Sequence, residues 1–189
     1  MPTPPTFVTG SVLTAAQMNT ISAHLITTRT VSTATEMVFD SVFTSDYLSY
    51  FCVVTVSAAT ATGFLHWQER VGGVSSNSSY SSAGAGYYLS AGSGFQNIIG
   101  QQNVAQGIVG SFDGASGSQG HIIFDISAPQ TSAYTATTGR FSMATGNTGM
   151  YHGTIGSMHY VSTVYDGMRL FVTGGNFTAV GRLYGYRNS

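Results

Sequence analysis

The sequence predicts an all-β protein, a jelly-roll-like antiparallel β-sandwich with a short N-terminal helix. The first observation is a series of about ten short segments in which apolar and polar residues alternate, as in half-buried strands. The second is that clusters of Gly, Ser, Asn and Asp separate these segments, with no helical pattern between them. The third is that a single stretch near the N-terminus has helical spacing. No fixed internal repeat is found, which disfavours a propeller or a β-helix.

The N-terminal stretch begins with prolines at positions 2, 4 and 5, and its first residues are expected to be extended. Thr14 followed by Gln17 forms a capping box, which predicts a helix over residues 15–26. An apolar stripe at helical spacing runs along this helix and consists of Met18, Ile21 and Leu25. Such a short helix needs a packing partner, which is either this chain's own sandwich or another protein.

The periodicity changes from helical to strand spacing at residues 27–30. We therefore predict two parts, a docking arm at residues 1–28 and a β-sandwich domain at residues 29–189. The predicted strands of this domain are 30–43, 47–57, 61–71, 87–90, 95–99, 107–112, 120–127, 140–144, 150–161, 168–172 and 178–187. Residues 75–86 are rich in Ser and Gly and are predicted to form an exposed loop.

The last predicted strand has two different faces. One face carries Val180, Arg182, Tyr184 and Tyr186, and the other carries Ala179, Gly181, Leu183 and Gly185. The glycines indicate that another part of the chain approaches this second face closely. A final strand is usually held inside a sheet, because loose termini fray.

The composition excludes several function classes and favours self-association. Charged residues make up 7% of the chain, lysine is absent, and the net charge is -1. This balance predicts no nucleic-acid partner, and no apolar run is long enough for a membrane span. The N-terminus also lacks the pattern of a signal peptide.

Without lysines to protect them, exposed sheet edges must be covered in another way. We predict a homotrimer, because closed symmetric assembly covers such edges. The predicted interface is formed by Val180, Arg182, Tyr184 and Tyr186.

No catalytic, cofactor or metal site is predicted. Asp46, Asp113 and Asp166 stand in turns, where a carboxylate usually bonds to its own backbone. The carboxylates left for a glycosidase-type pair are Glu36, Asp40, Glu69 and Asp125, and their spacing brings no two together. The five histidines have no metal-ligand spacing, and the lone Cys52 is expected to be a buried apolar residue.

Aromatic residues are the better candidates for binding, since they give a large contact area at a low entropic cost. Most of them are expected to lie in the core or on sheet faces. Tyr80 and Tyr134 flank predicted loops and are the candidate receptor contacts.

Two segments carry a resemblance to a known class of proteins. Residues 6–19 read Thr-Phe-Val-Thr-Gly-Ser-Val-Leu-Thr-Ala-Ala-Gln-Met-Asn, and residues 177–187 read Phe-Thr-Ala-Val-Gly-Arg-Leu-Tyr-Gly-Tyr-Arg. Both are similar to segments that begin and end bacteriophage virion proteins. The middle of the chain matches these proteins only in its layout of short strands and turns.

The resemblance implies a non-enzymatic structural protein of the virion, made in the cytoplasm of the bacterial host. It favours a tail or fibre component that displays loops to a host-surface glycan or protein. The N-terminal arm would dock on other virion proteins through Phe7, Val8, Leu13, Met18, Ile21 and Leu25. The alternatives are a capsid decoration protein, a free carbohydrate-binding module and, least favoured, a glycan-cleaving enzyme.

Overall fold

A computed structural model describes residues 23–89, 95–114, 119–145 and 149–187. These residues form an all-β protein whose strands are β1 (Ala23–Ala34), β2 (Glu36–Phe39), β3 (Tyr47–Ala59), β4 (Gly63–Val71), β5 (Val74–Ser75), β6 (Tyr80–Leu89), β7 (Phe95–Val104), β8 (Gly107–Phe112), β9 (Gly120–Ser127), β10 (Thr135–Thr145), β11 (Gly149–His159), β12 (Gly167–Phe171) and β13 (Phe177–Arg187).

The strands form two antiparallel sheets. The large sheet has eight strands in the order β1-β13-β3-β9-β10-β11-β6-β7. The small sheet has five strands, in which β2, β12 and β4 are neighbours and both β5 and β8 pair with β4. Contacts of β8 with β9, β10, β11 and β6 and of β1 with β2 hold one sheet against the other. The predicted all-β, sandwich-like class is therefore confirmed.

One core lies between the sheets, and alternating residues of the central strands fill it. Strand β3 contributes Tyr50, Cys52, Val54 and Val56, and β9 contributes Ile122, Phe124 and Ile126, all of them buried. The prediction that Cys52 is a buried apolar residue is confirmed. From the small sheet the core receives Leu65, Trp67, Met168 and Leu170. Trp67 donates from its indole nitrogen to the Ser157 hydroxyl at 3.0 Å, which joins the two sheets by a buried hydrogen bond.

The C-terminal strand β13 lies inside the large sheet, between β1 and β3. Ala179, Gly181, Leu183 and Gly185 share one face, as predicted, and the structure shows that this face is turned to the core. A Cβ on Gly181 would stand 2.5 Å from the Met37 sulfur, and one on Gly185 would stand 2.5 Å from the Tyr47 ring. These two glycines therefore admit side chains that pack directly on the strand backbone.

The prediction of a loop at residues 75–86 is wrong from residue 80 onward, because β6 begins there. The inner face of this strand carries small residues for a physical reason. A Cβ on Gly84 would stand 2.7 Å from the Thr154 carbonyl and 2.8 Å from the Ile155 side chain. Close packing against β11 requires Gly at this position. For this reason the segment has a composition typical of loops although it forms a strand.

The predicted helix over residues 15–26 is wrong in its last turn. Residues 23–26 belong to β1, which pairs with β13 from Ala23 onward and continues through residue 28, with one bulge between Leu25 and Thr27. The rest of the helix lies outside the described residues. The described segments contain no helix, and therefore none that could span a membrane.

Candidate functional site: the outer face of the large sheet

One face of the large sheet packs on the small sheet, and the other, here called the outer face, is turned away from it. Cross-strand pairing places side chains of this face in straight rows. One row runs from His121 on β9 through Ser142 on β10 to His152 on β11. A parallel row joins Thr138 on β10, Gly156 on β11, Ala83 on β6 and Gly100 on β7.

The second row forms a groove. Gly156, Ala83 and Gly100 are direct cross-strand neighbours, so no side chain larger than a methyl group stands over this part of the sheet. Larger side chains, among them Gln102, Met158 and Tyr160, line the same depression, whose volume is about 580 Å³. Volumes of this order are typical of small-molecule sites. The groove is thus a consequence of small residues at three successive positions across the sheet.

Two tyrosines stand at one end of the groove. Tyr160 lines it, and Tyr134 packs against Tyr160 edge to face, with ring centroids 5.5 Å apart. The exposed fractions are 54% for Tyr134 and 46% for Tyr160. The backbone N–H of Tyr160 donates to the Ser79 carbonyl at 2.9 Å, which fixes the end of β11. Tyr134 is exposed as predicted, and its partner Tyr160 is an aromatic residue that was not one of the two predicted receptor contacts.

The prediction that Tyr80 is an exposed receptor contact is wrong. Its side chain is completely buried and stacks on the His159 ring, with centroids 4.1 Å apart. Burial raises the pKa of its hydroxyl well above the ordinary value. Tyr80 begins strand β6 on the core-facing side, whereas the sequence pattern predicted a loop.

A second feature of the outer face is an aromatic patch formed by Phe51, Tyr184 and Tyr186. The Phe51 ring lies 6.0 Å from Tyr184 and 6.4 Å from Tyr186 between centroids. Partial burial, together with a hydrogen bond to the neighbouring Asp125 carboxylate, raises the pKa of Tyr186. All three side chains are half-buried in the isolated chain.

The predicted interface residues lie beside this patch. Val180, Arg182, Tyr184 and Tyr186 share the outer face of β13, as their spacing predicts. Their role in an interface stays a prediction. Of the predicted docking residues, Leu25 lies on β1 with 56% of its side chain exposed. Phe7, Val8, Leu13, Met18 and Ile21 lie outside the described residues.

A third feature is a pocket of about 200 Å³, here called the cationic pocket. It is lined by His121, Ile123, Arg140, Phe141, Ser142 and His152. The Ser142 hydroxyl and the Nδ1 atom of His152 are 2.7 Å apart, so they share a hydrogen bond. Arg140 has no hydrogen-bond or ion-pair partner among the residues that the structure describes.

The carboxylates lie in separate environments. Arg70 pairs with Asp40 at 2.6 Å and Arg169 pairs with Glu36 at 3.0 Å, both at the small sheet. Asp125 is exposed on the outer face of the large sheet, and Glu69 is fully buried on β4. These four carboxylates thus differ in exposure, and among the described residues only Asp40 and Glu36 are paired with an arginine.

Glu69 belongs to a buried polar cluster with Ser76, Tyr80, Thr135 and His159. Burial raises the pKa of the Glu69 carboxyl well above its ordinary value, and the nearby Thr135 hydroxyl only partly offsets this. Neither carboxyl oxygen has a full hydrogen-bond partner among the described residues. Burial also lowers the pKa of His159, whose Nε2 lies 3.0 Å from the Ser76 hydroxyl oxygen. Four of the five residues are completely buried and Ser76 is half-buried, which favours a structural role.

The remaining candidates are the possible metal ligands and the lone cysteine. In the part of the chain that the structure describes, no three His, Cys, Asp or Glu side chains are grouped around a common point. Cys52 is buried in the core, and burial raises its thiol pKa, which disfavours the reactive thiolate.

Compared with known proteins, the sequence matches no protein-family model and no curated protein. The geometry of the outer face is therefore the main basis for a functional conclusion.

Proposed function

We propose that this chain is a structural protein of a bacteriophage particle, a tail or fibre component that attaches to host-surface glycans through the groove on the outer face. In this proposal the chain is a jelly-roll-like sandwich that assembles as a homotrimer. Its N-terminal residues dock it on other virion proteins. The observation that carries the binding function is the groove with its exposed tyrosine pair.

The chemistry of the groove suits a sugar. Tyrosine rings offer a flat apolar face to sugar C–H groups, and their hydroxyls remain available to water or ligand. The same depression is lined by hydroxyl and amide side chains, including Ser81, Thr138 and Gln102. These groups both donate and accept hydrogen bonds, as sugar hydroxyls do. The flat row Gly156, Ala83 and Gly100 leaves room for a sugar ring to lie against the sheet.

Support for the virion comes from the two terminal segments that resemble phage proteins and from the low charge content of the chain. The aromatic patch is half-buried on a face that no part of the described chain covers. This arrangement is consistent with burial against a second copy, as aromatic residues are enriched in the centres of interfaces.

The virion part of the proposal is tested by locating the protein in purified particles. Immunogold labelling should place it on the tail, at a copy number far below that of the major capsid protein. A copy number comparable with that of the major capsid protein would contradict the tail assignment and favour capsid decoration. Absence from purified particles would favour a free carbohydrate-binding module.

The docking part is tested by deleting residues 1–22, which precede every described strand. The shortened protein should melt cooperatively and keep its glycan binding, but it should no longer join particles. Normal incorporation of the shortened protein would exclude the N-terminal segment as the docking arm. A control with its first 22 residues replaced by a Gly/Ser sequence of equal length separates lost docking from a length effect.

A further inference from the structure

The cationic pocket contains more hydrogen-bond donors than its neighbours satisfy. His121, Ser142 and His152 lie in one cross-strand row, and Arg140 lies two residues from Ser142 on the same face of β10. The Arg140 guanidinium carries five N–H donors and no acceptor. With no partner for Arg140 among the described residues, these donors face the pocket and the solvent.

The imidazole of His152 adds a directed donor in one of its two tautomers. When the Ser142 hydroxyl donates to Nδ1 over their 2.7 Å separation, the proton of the neutral ring resides on Nε2. Nε2 then donates away from Ser142. His121 stands on the other side of Ser142 in the same row and lines the same pocket.

The charges around the pocket have one predominant sign. Arg182 lies in the same row as Arg140, with Val53 and Ile123 between them. Asp125 is the nearby acid on this face, two residues from Ile123 and directly opposite Thr138. It is hydrogen-bonded to Tyr186 of β13, which lies beyond β3 and therefore on the side away from Arg140. The pocket thus presents one arginine and two imidazoles. A second arginine, Arg182, lies three strands away in the same row, and the neighbouring Asp125 carboxylate already has a partner.

We propose that the cationic pocket binds an oxyanion, a carboxylate or phosphate group carried by an acidic polysaccharide. The inference rests on the proposed function, because Thr138 and Gly156 of the groove lie on β10 and β11, two of the three strands that line the pocket. Thr138 and Arg140 are two residues apart on one face, which corresponds to about 6.6 Å along a strand. A glycan in the groove therefore reaches the pocket with the acidic group of a neighbouring sugar.

The test measures binding of three probes of equal chain length by calorimetry: an oligoglucuronate, a phosphorylated mannan fragment and a neutral dextran fragment. Arg140→Gln should weaken binding of at least one acidic probe by about tenfold or more, because charge-assisted hydrogen bonds are lost. It should leave dextran binding unchanged, and the difference should shrink at high salt. The probe that responds identifies the anion as carboxylate or phosphate.

The matched control is Arg29→Gln. Arg29 is an exposed arginine on β1 that pairs with the core-facing Gly181, so it projects from the opposite face of the sheet.

Equal affinities of the wild type and Arg140→Gln for both acidic probes would overturn the inference. If Gly156→Val abolishes binding while Arg140→Gln has no effect, the groove is retained and the anion site is excluded. If Arg140→Gln weakens acidic probes while Gly156→Val has no effect, the anion site is retained and the groove is excluded.

Discussion

The backbone N–H of Glu69 donates a 2.9 Å hydrogen bond to the Tyr80 hydroxyl, which donates in turn to the Ser76 carbonyl at 3.3 Å. The Ser76 N–H donates to the Glu69 carbonyl at 2.9 Å, so the three residues are joined by a closed ring of hydrogen bonds. A core tyrosine of the large sheet thereby holds β4 of the small sheet. The same arrangement fixes the Glu69 carboxyl in the interior, where its charged form is disfavoured.

The first prediction concerns Glu69. Because burial raises its folded-state pKa, its contribution to stability is fully present below the unfolded pKa of about 4.3 and is lost as pH rises through the folded pKa. Glu69→Gln should remove this loss of stability at rising pH. The unfolding free energy of the variant should therefore exceed that of the wild type by a margin that grows with pH, to about 1–3 kcal/mol. Urea unfolding between pH 5 and pH 9 measures it.

The control for this prediction is Glu36→Gln, which alters a half-exposed carboxylate paired with Arg169. This variant should keep the alkaline loss seen in the wild type. A Glu69→Gln protein that loses stability with rising pH as steeply as the wild type would rule out Glu69 as the source.

The second prediction concerns the buried histidines His66 and His159, whose pKa values are lowered mainly by burial. Their neutral forms stabilise the fold above the unfolded pKa of about 6.5, and this contribution is lost as pH falls through that value toward the folded pKa. The melting temperature should therefore drop below about pH 6.5. His66→Phe should reduce this drop in melting temperature, whereas His121→Phe, at an exposed histidine, should not. If the melting temperatures of the wild type and His66→Phe fall identically with pH, His66 is not a source of the acid sensitivity.

The third prediction concerns Gly107, which packs directly on Trp67. A Cβ at this position would overlap the Trp67 indole nitrogen and the Ser157 hydroxyl, which form the hydrogen bond between the sheets. Gly107→Ala should destabilise the fold by about 1–3 kcal/mol. Gly100→Ala is the matched control, since a Cβ there meets no atom within 4 Å. Equal unfolding free energies for the two variants would show that the Gly107 contact is not tight.

The fourth prediction concerns the aromatic patch and the trimer. Tyr184→Asp would place an unpaired charge beside Phe51 in the proposed interface, which is strongly unfavourable. Light scattering should give a trimer for the wild type and a folded monomer for the variant. Val164→Asp, at a residue that is 46% exposed in a segment outside the strands, should remain a trimer. A monomeric wild type at micromolar concentration, or a trimeric Tyr184→Asp protein, would contradict the interface.

Strands with large apolar residues at alternate positions could be predicted from the sequence. The alternation of β9 places Ile122, Phe124 and Ile126 together on one face, which is the inward one. The alternation of β13 likewise separates the residues of its two faces. The first part of strand β6, residues 80–86, could not be predicted, because the tight contact at Gly84 requires small residues and gives this part of the strand the composition of a loop. The exposure of Tyr80 was mispredicted for the same reason.

Only part of the candidate site could be predicted from the sequence. Tyr134 could be selected as an exposed aromatic residue, but the groove depends on the register that places Gly156, Ala83 and Gly100 opposite one another. These residues are separated in the sequence and carry no chemical signal individually. The cationic pocket likewise depends on pairing across β9, β10 and β11.

The most direct test of the central claim measures binding of the wild type and of Gly156→Val to an array of bacterial surface polysaccharides. A Cβ at position 156 would lie 4.0 Å from the nearest carbonyl oxygens, so valine fills the groove without disturbing the core. Gly174→Val, at an exposed turn position with open space around its Cβ, is the matched control. The account predicts that the wild type and Gly174→Val bind the same glycans and that Gly156→Val, equally stable, binds none of them. Unchanged glycan binding by Gly156→Val, or no binding by the wild type to any polysaccharide, would contradict it.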